Sequence, residues 1–346
     1  MNLPNILTKH RQEIDAALRN EFTDKTLPLY NMIGYHLGWK DENGKPIKSN
    51  SGKYIRASLC LFSCEAISHD YAKALPAAIA LELMHNFSLI IDDIQDRDIE
   101  RRNRPTVWKI WGQPQAINAG MAAFILARMS LTRLQASGIG VEKELQIYKL
   151  LDTISIKSLE GQFLDIDFEG KPAISINEYI RMIKLKTGTP IAGSMQMGAC
   201  LGTEDNKLVE LFQEIGMNLG VAYQIPDDVV SIWGESIKTG KLTGSDIYNR
   251  KKTFPFVYTM GNCHDEAKKE LADIYETGEF DENNLNNITN IYDSVGIPKL
   301  AQSIIGEYAA TAWQKFEGLK LTPDYNNAMA EFMELLIGGN YWEICL

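Results

Sequence analysis

Two apolar helical runs in this chain each end in adjacent aspartates, and no other feature narrows the available folds as much. The first run begins near Ala72, repeats apolar residues at Ala77, Leu81, Met84, Leu89 and Ile90, and closes on Asp92-Asp93-Ile94-Gln95-Asp96. On a continuing helix Asp92 and Asp96 stand one turn apart on one face, with Asp93 three residues before Asp96. The second run, 219–225, ends in Pro226-Asp227-Asp228. Acidic triplets at helix spacing are usually solvated surface, but these follow apolar runs. Carboxylates gathered in a cleft repel one another and lose hydration, so a cation must offset them, and oxygen donors suit Mg2+. Two such ends facing each other would make a carboxylate mouth on an apolar hollow. Magnesium there could bind the diphosphate of a substrate whose hydrocarbon tail fills the hollow.

At 346 residues the chain can bury a large core, and no composition shift or Pro/Gly/Ser linker divides it, so one domain, 1–346, is expected. No stretch alternates apolar and polar residues with period two, so the fold should be all-α. Helices are expected over 5–20, 27–39 (interrupted near Gly34), 54–66, 72–96, 114–134, 141–168, 177–186, 191–201 and 207–232, with five more from residue 254 onward. Net charge of −10 argues against general nucleic-acid binding. Five cysteines without metal-ligand spacing fit a reducing cytosol. The N-terminal residues lack a signal-peptide layout and no apolar run approaches membrane-spanning length, so a cytoplasmic protein without a transmembrane segment is expected.

Basic residues beside acidic motifs in an acidic chain need a local explanation. Lys53 and Arg56 sit in the first turn of the 54–66 helix; they either face solvent or enclose an anion with free backbone N–H groups. Arg101, Arg102 and Arg104 follow the first aspartates and form either a salt-bridge patch or a phosphate grip. Lys186-Thr187 lies where the helix should break, at Thr187-Gly188-Thr189-Pro190. Gly240 to Asp246, followed by Arg250-Lys251-Lys252, lacks the GxxxxGK[ST] pattern of a P-loop and reads as a basic flap over a bound diphosphate. His85 stands two turns before Asp92 on the same face, either a core residue or a ligand contact. Pro226 inside its run predicts a kink or restart. Phe87, Phe163, Phe168 and Tyr223 are candidates for plain core or for the cavity wall.

Together these motifs resemble the trans-isoprenyl diphosphate synthases of the polyprenyl synthetase family, the makers of farnesyl and geranylgeranyl diphosphates. The resemblance runs from about His36 to Phe256 through Gly52-Lys53-x-x-Arg56, His85-Asn86-Phe87-Ser88-Leu89, Asp92-Asp93-x-x-Asp96 with Arg101-Arg102-x-x-Pro105-Thr106, Lys186-Thr187, Gln224-x-x-Asp227-Asp228, and Gly240-Lys241 with Asp246 and Lys251. It implies an isoprenoid-synthase helical bundle around an apolar cavity, working as a homodimer. By the same resemblance Asp92, Asp93 and Asp96 bind two Mg2+, Asp227 binds a third, and Asp228 lies behind them or against the loop. Arg101, Lys186 and Lys241 grip the allylic diphosphate, and Lys53, Arg56, His85 and Arg102 hold isopentenyl diphosphate. Lys251 joins on closure, while Thr187 and Gln224 polarise charge at the reacting carbons. The implied reaction is ionisation, condensation and elimination, with a diphosphate oxygen taking the proton.

The chain departs from the family pattern at Ile91, where a histidine is common, at Ala57 for proline, and at Asn103 for glycine. Its second motif, Asp227-Asp228-Val229-Val230-Ser231, lacks the third aspartate. Phe87 lies five residues before Asp92, about 7.5 Å along a helix, and Ser88 is small. That pattern resembles a C20 producer, with geranylgeranyl diphosphate preferred over C15 or C25. Two rivals are a class I terpene synthase on the same scaffold and a catalytically silent partner subunit. The first would not need Lys53, Arg56, His85 and Arg102; the second should have lost aspartates of the first motif.

Overall fold

The computed structural model describes residues 3–47, 52–233, 245–277 and 282–337. Among them the chain runs α1 (Asn5–Thr8), α2 (Arg11–Asn20), α3 (Pro28–His36), α4 (Ile55–Ser68), α5 (Leu75–Gln95), α6 (Val107–Trp111), α7 (Gln113–Ser130), α8 (Val141–Glu169), α9 (Ile176–Ile183), α10 (Thr189–Gly202) and α11 (Asn206–Trp233). Shorter helices follow, then two long ones, Ile297–Glu317 and Pro323–Ile337. The all-α expectation holds.

α5 is the central helix because it is apolar on every side: Ala77, Ala78, Ala80, Leu81 and Leu83 are all buried. α4 and α7 pack against it, and α10 lies between α4 and α11. Small residues permit these approaches. A Cβ added to Gly198 of α10 would stand 2.0 Å from the Cys60 carbonyl oxygen on α4. Ala72–Gln95 is long and apolar enough to cross a membrane by length and composition, contrary to the expectation that no run would be. Here 61% of its apolar window is buried inside the fold, so its hydrophobicity belongs to the core.

Four local readings are corrected. The first helix breaks at Lys9-His10 into α1 and α2. Gly34 does not interrupt α3; it lies buried within it, and a Cβ there would meet the Lys40 side chain at 3.2 Å. No break occurs at 187–190: Lys184–Gly188 forms a π turn that runs on into α10, and Pro190 falls in the first turn of α10, where no backbone N–H is required. α11 carries Pro226 within one continuous helix, without a restart. One small departure from all-helix is the antiparallel pair Glu100↔Pro105 and Arg101↔Arg104. Its turn residues, Arg102 and Asn103, are left-handed at φ 54° and 57°. Asparagine tolerates that region, which explains why it can stand in for the glycine of the family pattern.

Candidate active site

The C-terminal end of α5 meets the C-terminal half of α8 through a network of opposite charges. Asp165 Oδ2 accepts from Lys186 Nζ at 2.8 Å and from Lys251 Nζ at 3.0 Å. Lys251 also reaches Asp96 Oδ1 at 2.7 Å and Glu169 Oε1 at 2.7 Å, with a side chain only 6% exposed. Burial raises the Asp165 carboxyl, but Lys186 and Lys251 outweigh it and hold the group down at about 2. Lys186 is brought here by Gly161, whose added Cβ would stand 2.2 Å from the Lys186 backbone nitrogen. The π turn and this close approach together aim the lysine at α8.

Within the first motif the three aspartates have different surroundings. Asp93 is 1% exposed, and its Oδ1 accepts from Arg101 Nε at 2.7 Å. Asp93 thus anchors Arg101 through Oδ1. Asp92 is half-buried, and its carboxylate accepts no hydrogen bond from the described residues. Burial pushes its carboxyl up to about 6, with Lys186 pulling the other way. An acceptor-only group left in that state, one turn from Asp96, is what a hard cation would relieve.

The second motif is tied down by its neighbours. Thr187 Oγ1 donates to Gln224 Oε1 at 2.5 Å, and Gln224 Nε2 donates to Asp228 Oδ1 at 2.7 Å. Asp228 Oδ2 accepts from the Tyr179 hydroxyl at 2.7 Å and from the Phe254 backbone N–H at 2.9 Å. Asp228 is therefore a buried acceptor with both oxygens engaged by Gln224, Tyr179 and Phe254. Asp227 stays half-buried.

Arg56 is a buried cation near both acidic ends. The guanidinium is buried, which lowers its pKa, while Tyr223, Glu82, Asp227 and Asp92 all raise it. One cation thus senses both motifs. Around it lie the remaining basic groups. Arg102 Nη1 donates to the His36 carbonyl at 3.2 Å, and its Nη2 lies 3.1 Å from where a Gly52 Cβ would be, so the segment leading to Lys53 rests against it. His85 and His36 are held well below the usual histidine range, first by burial and then by the neighbouring arginines. Both are neutral imidazoles at pH 7. Lys241 lies outside the described residues.

Among the described residues no three His, Cys, Asp or Glu side chains form a ready metal cage. Phe87 is half-buried, with its ring 5.1 Å from that of Phe124 on α7. Gly120, one turn earlier on α7, faces Ile91, whose Cδ1 would lie 3.0 Å from an added Cβ. Ile91 thus packs against α7. Phe168 is core, and Phe163 is 68% exposed on the outside of α8.

The profile of the polyprenyl synthetases matches residues 39–292. The chain belongs to the polyprenyl synthetase family. It is 37% identical over 251 residues to a (2E,6E)-farnesyl diphosphate synthase of Mycobacterium tuberculosis, covering 72% of this chain and 68% of that one. It is 35% identical over 271 residues to a geranylgeranyl diphosphate synthase of the same organism, covering 78% and 76%. A polyprenyl synthetase from Streptomyces coelicolor superposes with a TM-score of 0.86 at 29% identity, covering 96% of this chain and 98% of that one. Like its relatives, this polyprenyl synthetase is a prenyltransferase of the trans-prenyl diphosphate synthase type on the all-α isoprenoid-synthase fold, and the family uses a divalent metal.

Sequence reasoning passed over several residues of this synthetase site. Asp165 and Gln162 are three apart on the polar stripe of α8, and Gln162 Nε2 donates to Gln95 Oε1 at 3.1 Å. Their spacing was visible; their facing inward was not, because the exposed Glu160 and Asp167 belong to the same stripe. Tyr179, His36 and Glu169 carried no motif at all.

Proposed function

We propose that the enzyme condenses isopentenyl diphosphate head to tail (1'-4) with an allylic prenyl diphosphate, using up to three Mg2+, and that its main product is geranylgeranyl diphosphate. The observation carrying this reading is the buried charge network beside the first motif, in which Lys251 joins Asp96 to Asp165 and Lys186 reaches the same Asp165. Asp92 and Asp96 would hold metal on one side of the diphosphate and Asp227 on the other. Diphosphate oxygens would complete each coordination shell. Bound metal supplies charge neutralisation for the leaving diphosphate.

Lys186, Arg101 and Lys241 would grip the allylic diphosphate, and Lys251 would join them. Lys53, Arg56, Arg102 and the neutral His85 would hold isopentenyl diphosphate. The allylic C1–O bond breaks, the C3–C4 double bond attacks C1, and the proton lost goes to a diphosphate oxygen held by the lysines. The Thr187 hydroxyl and the Gln224 carbonyl oxygen, locked together, would face the developing positive charge. A dry wall of Phe87, Phe124 and Ile91 keeps water from the cation.

Purified enzyme with Mg2+ and C5 to C20 allylic diphosphates should give longer diphosphates only when isopentenyl diphosphate is present. Hydrocarbon released without that co-substrate would overturn condensation in favour of cyclisation. Product length rests on the ring pair. Both Phe87→Ala and Phe124→Ala should shift the main product at least one C5 unit longer, because each removes half of the floor. An unchanged product distribution from both variants would reject this floor.

We also propose a cytoplasmic, single-domain homodimer built on the outer faces of α7 and α8. Arg128 of α7 pairs with Asp152 of α8, so the two helices are neighbours. Together they present Ile117, Met121 (51% exposed), Ile125, Leu159 and Phe163, an apolar stripe that a second copy would cover. Phe163→Glu with Met121→Glu should give a monomer by light scattering; a dimer persisting at micromolar concentration would exclude this face.

A further inference from the structure

Lys251 stands among three carboxylates, and Glu169, which supplies one of them, belongs to none of the motifs that define the family resemblance. Asp165 and Glu169 are one turn apart at the end of α8, and Asp96 faces them from α5. Two of the three contacts, to Asp96 at 2.7 Å and Asp165 at 3.0 Å, are hydrogen bonds, and Glu169 adds an ion pair at 2.7 Å. The ammonium is thus committed to carboxylates before any phosphate arrives. Without Lys251, Asp96 and Glu169 would lose this ion pair and Asp165 would keep Lys186. Such an excess of negative charge would draw a free divalent ion.

We propose that Glu169 is a positioning residue that draws Lys251 across the metal-binding edge, so that an ammonium group holds this place until a diphosphate arrives. A metal ion coming alone onto Asp92 and Asp96 must displace Lys251 from Asp96 and sets its own charge against that ammonium. Metal arriving with a diphosphate gives the ammonium a new partner, because phosphate oxygens accept the protons it surrenders. Binding of metal and binding of diphosphate are therefore coupled through one side chain, and the coupling must be reciprocal. Tight metal binding before substrate is suppressed. The inference rests on the proposed function only in taking this edge to be the metal site.

The test is titration of the full chain with Mn2+, followed by electron paramagnetic resonance, with and without inorganic diphosphate. Plain electrostatics says that Glu169→Gln, which removes a negative charge, weakens Mn2+ binding. The tether has the opposite sign: without diphosphate, Glu169→Gln and Lys251→Met should each tighten Mn2+ by about fivefold or more. In the Lys251→Met background, Glu169→Gln should no longer tighten it. With diphosphate added, wild type and Glu169→Gln should converge. Unchanged or weaker Mn2+ binding by a folded Glu169→Gln protein, checked by thermal melting, would overturn the tether while leaving the proposed function standing. Failure of diphosphate to bring Mn2+ onto any variant would overturn both.

Discussion

Asp92→Asn should lower kcat by about a thousandfold or more and should make the metal-free protein more stable. Both effects have one cause. Asp92 is an acceptor without a donor, and burial pushes its carboxyl up to about 6, above the ordinary value of 3.8. A folded pKa above the unfolded one means that the native state holds the proton more tightly. The stability this group contributes is therefore full below about pH 4 and is lost as pH rises through about 6. Metal-free wild type should lose melting temperature across that window, and Asp92→Asn should flatten this part of the curve. Bound metal should reverse the effect in the wild type by stabilising the ionised form. If Asp92→Asn is fully active, or destabilised at pH 7, the assignment of Asp92 as a ligand fails.

The adjacent aspartates of α11 should part company. Asp228→Ala removes the acceptor for the Tyr179 hydroxyl, the Gln224 amide and the Phe254 N–H at once. Leaving these donors buried costs about 3 kcal/mol or more, so denaturant melts should show a large loss of stability. Activity should fall too, because Gln224 loses the partner that fixes it against Thr187. Asp227→Ala should act chiefly on catalysis, with a kcat drop of about a hundredfold or more and a smaller loss of stability than Asp228→Ala. Equal melting curves for the two variants would contradict the division of roles between them.

How much of this could be read from residue order depends on the kind of signal. The apolar period of α5 and the position of its aspartates were legible because a helix end fixes both at once. Lys186-Thr187 was legible as a motif, but not as a π turn, since that widened turn depends on Gly161 pressing against it from another helix. Period alone could not tell which polar residues of α8 point inward. Gln162 and Asp165 are buried, while Glu160 and Asp167 share the stripe and face solvent. That Asp228 accepts from a tyrosine forty-nine residues earlier carried no signal in the order of residues. Phe163 seemed a candidate for the cavity wall, and only the packing of α8 puts it outside. Resemblance supplied residue roles, whereas the structure supplied who holds whom.

The central claim is that the carboxylates of α5 and α11 share one diphosphate. A crystal structure with Mg2+, isopentenyl diphosphate and a non-ionising thio-analogue of the allylic substrate tests it directly. The account predicts metal density bonded to Asp92 and Asp96 on one side of a single diphosphate and to Asp227 on the other, with Lys251 moved onto phosphate oxygens. A diphosphate bound with Asp227 facing elsewhere, or metal held on one helix end alone, would contradict it.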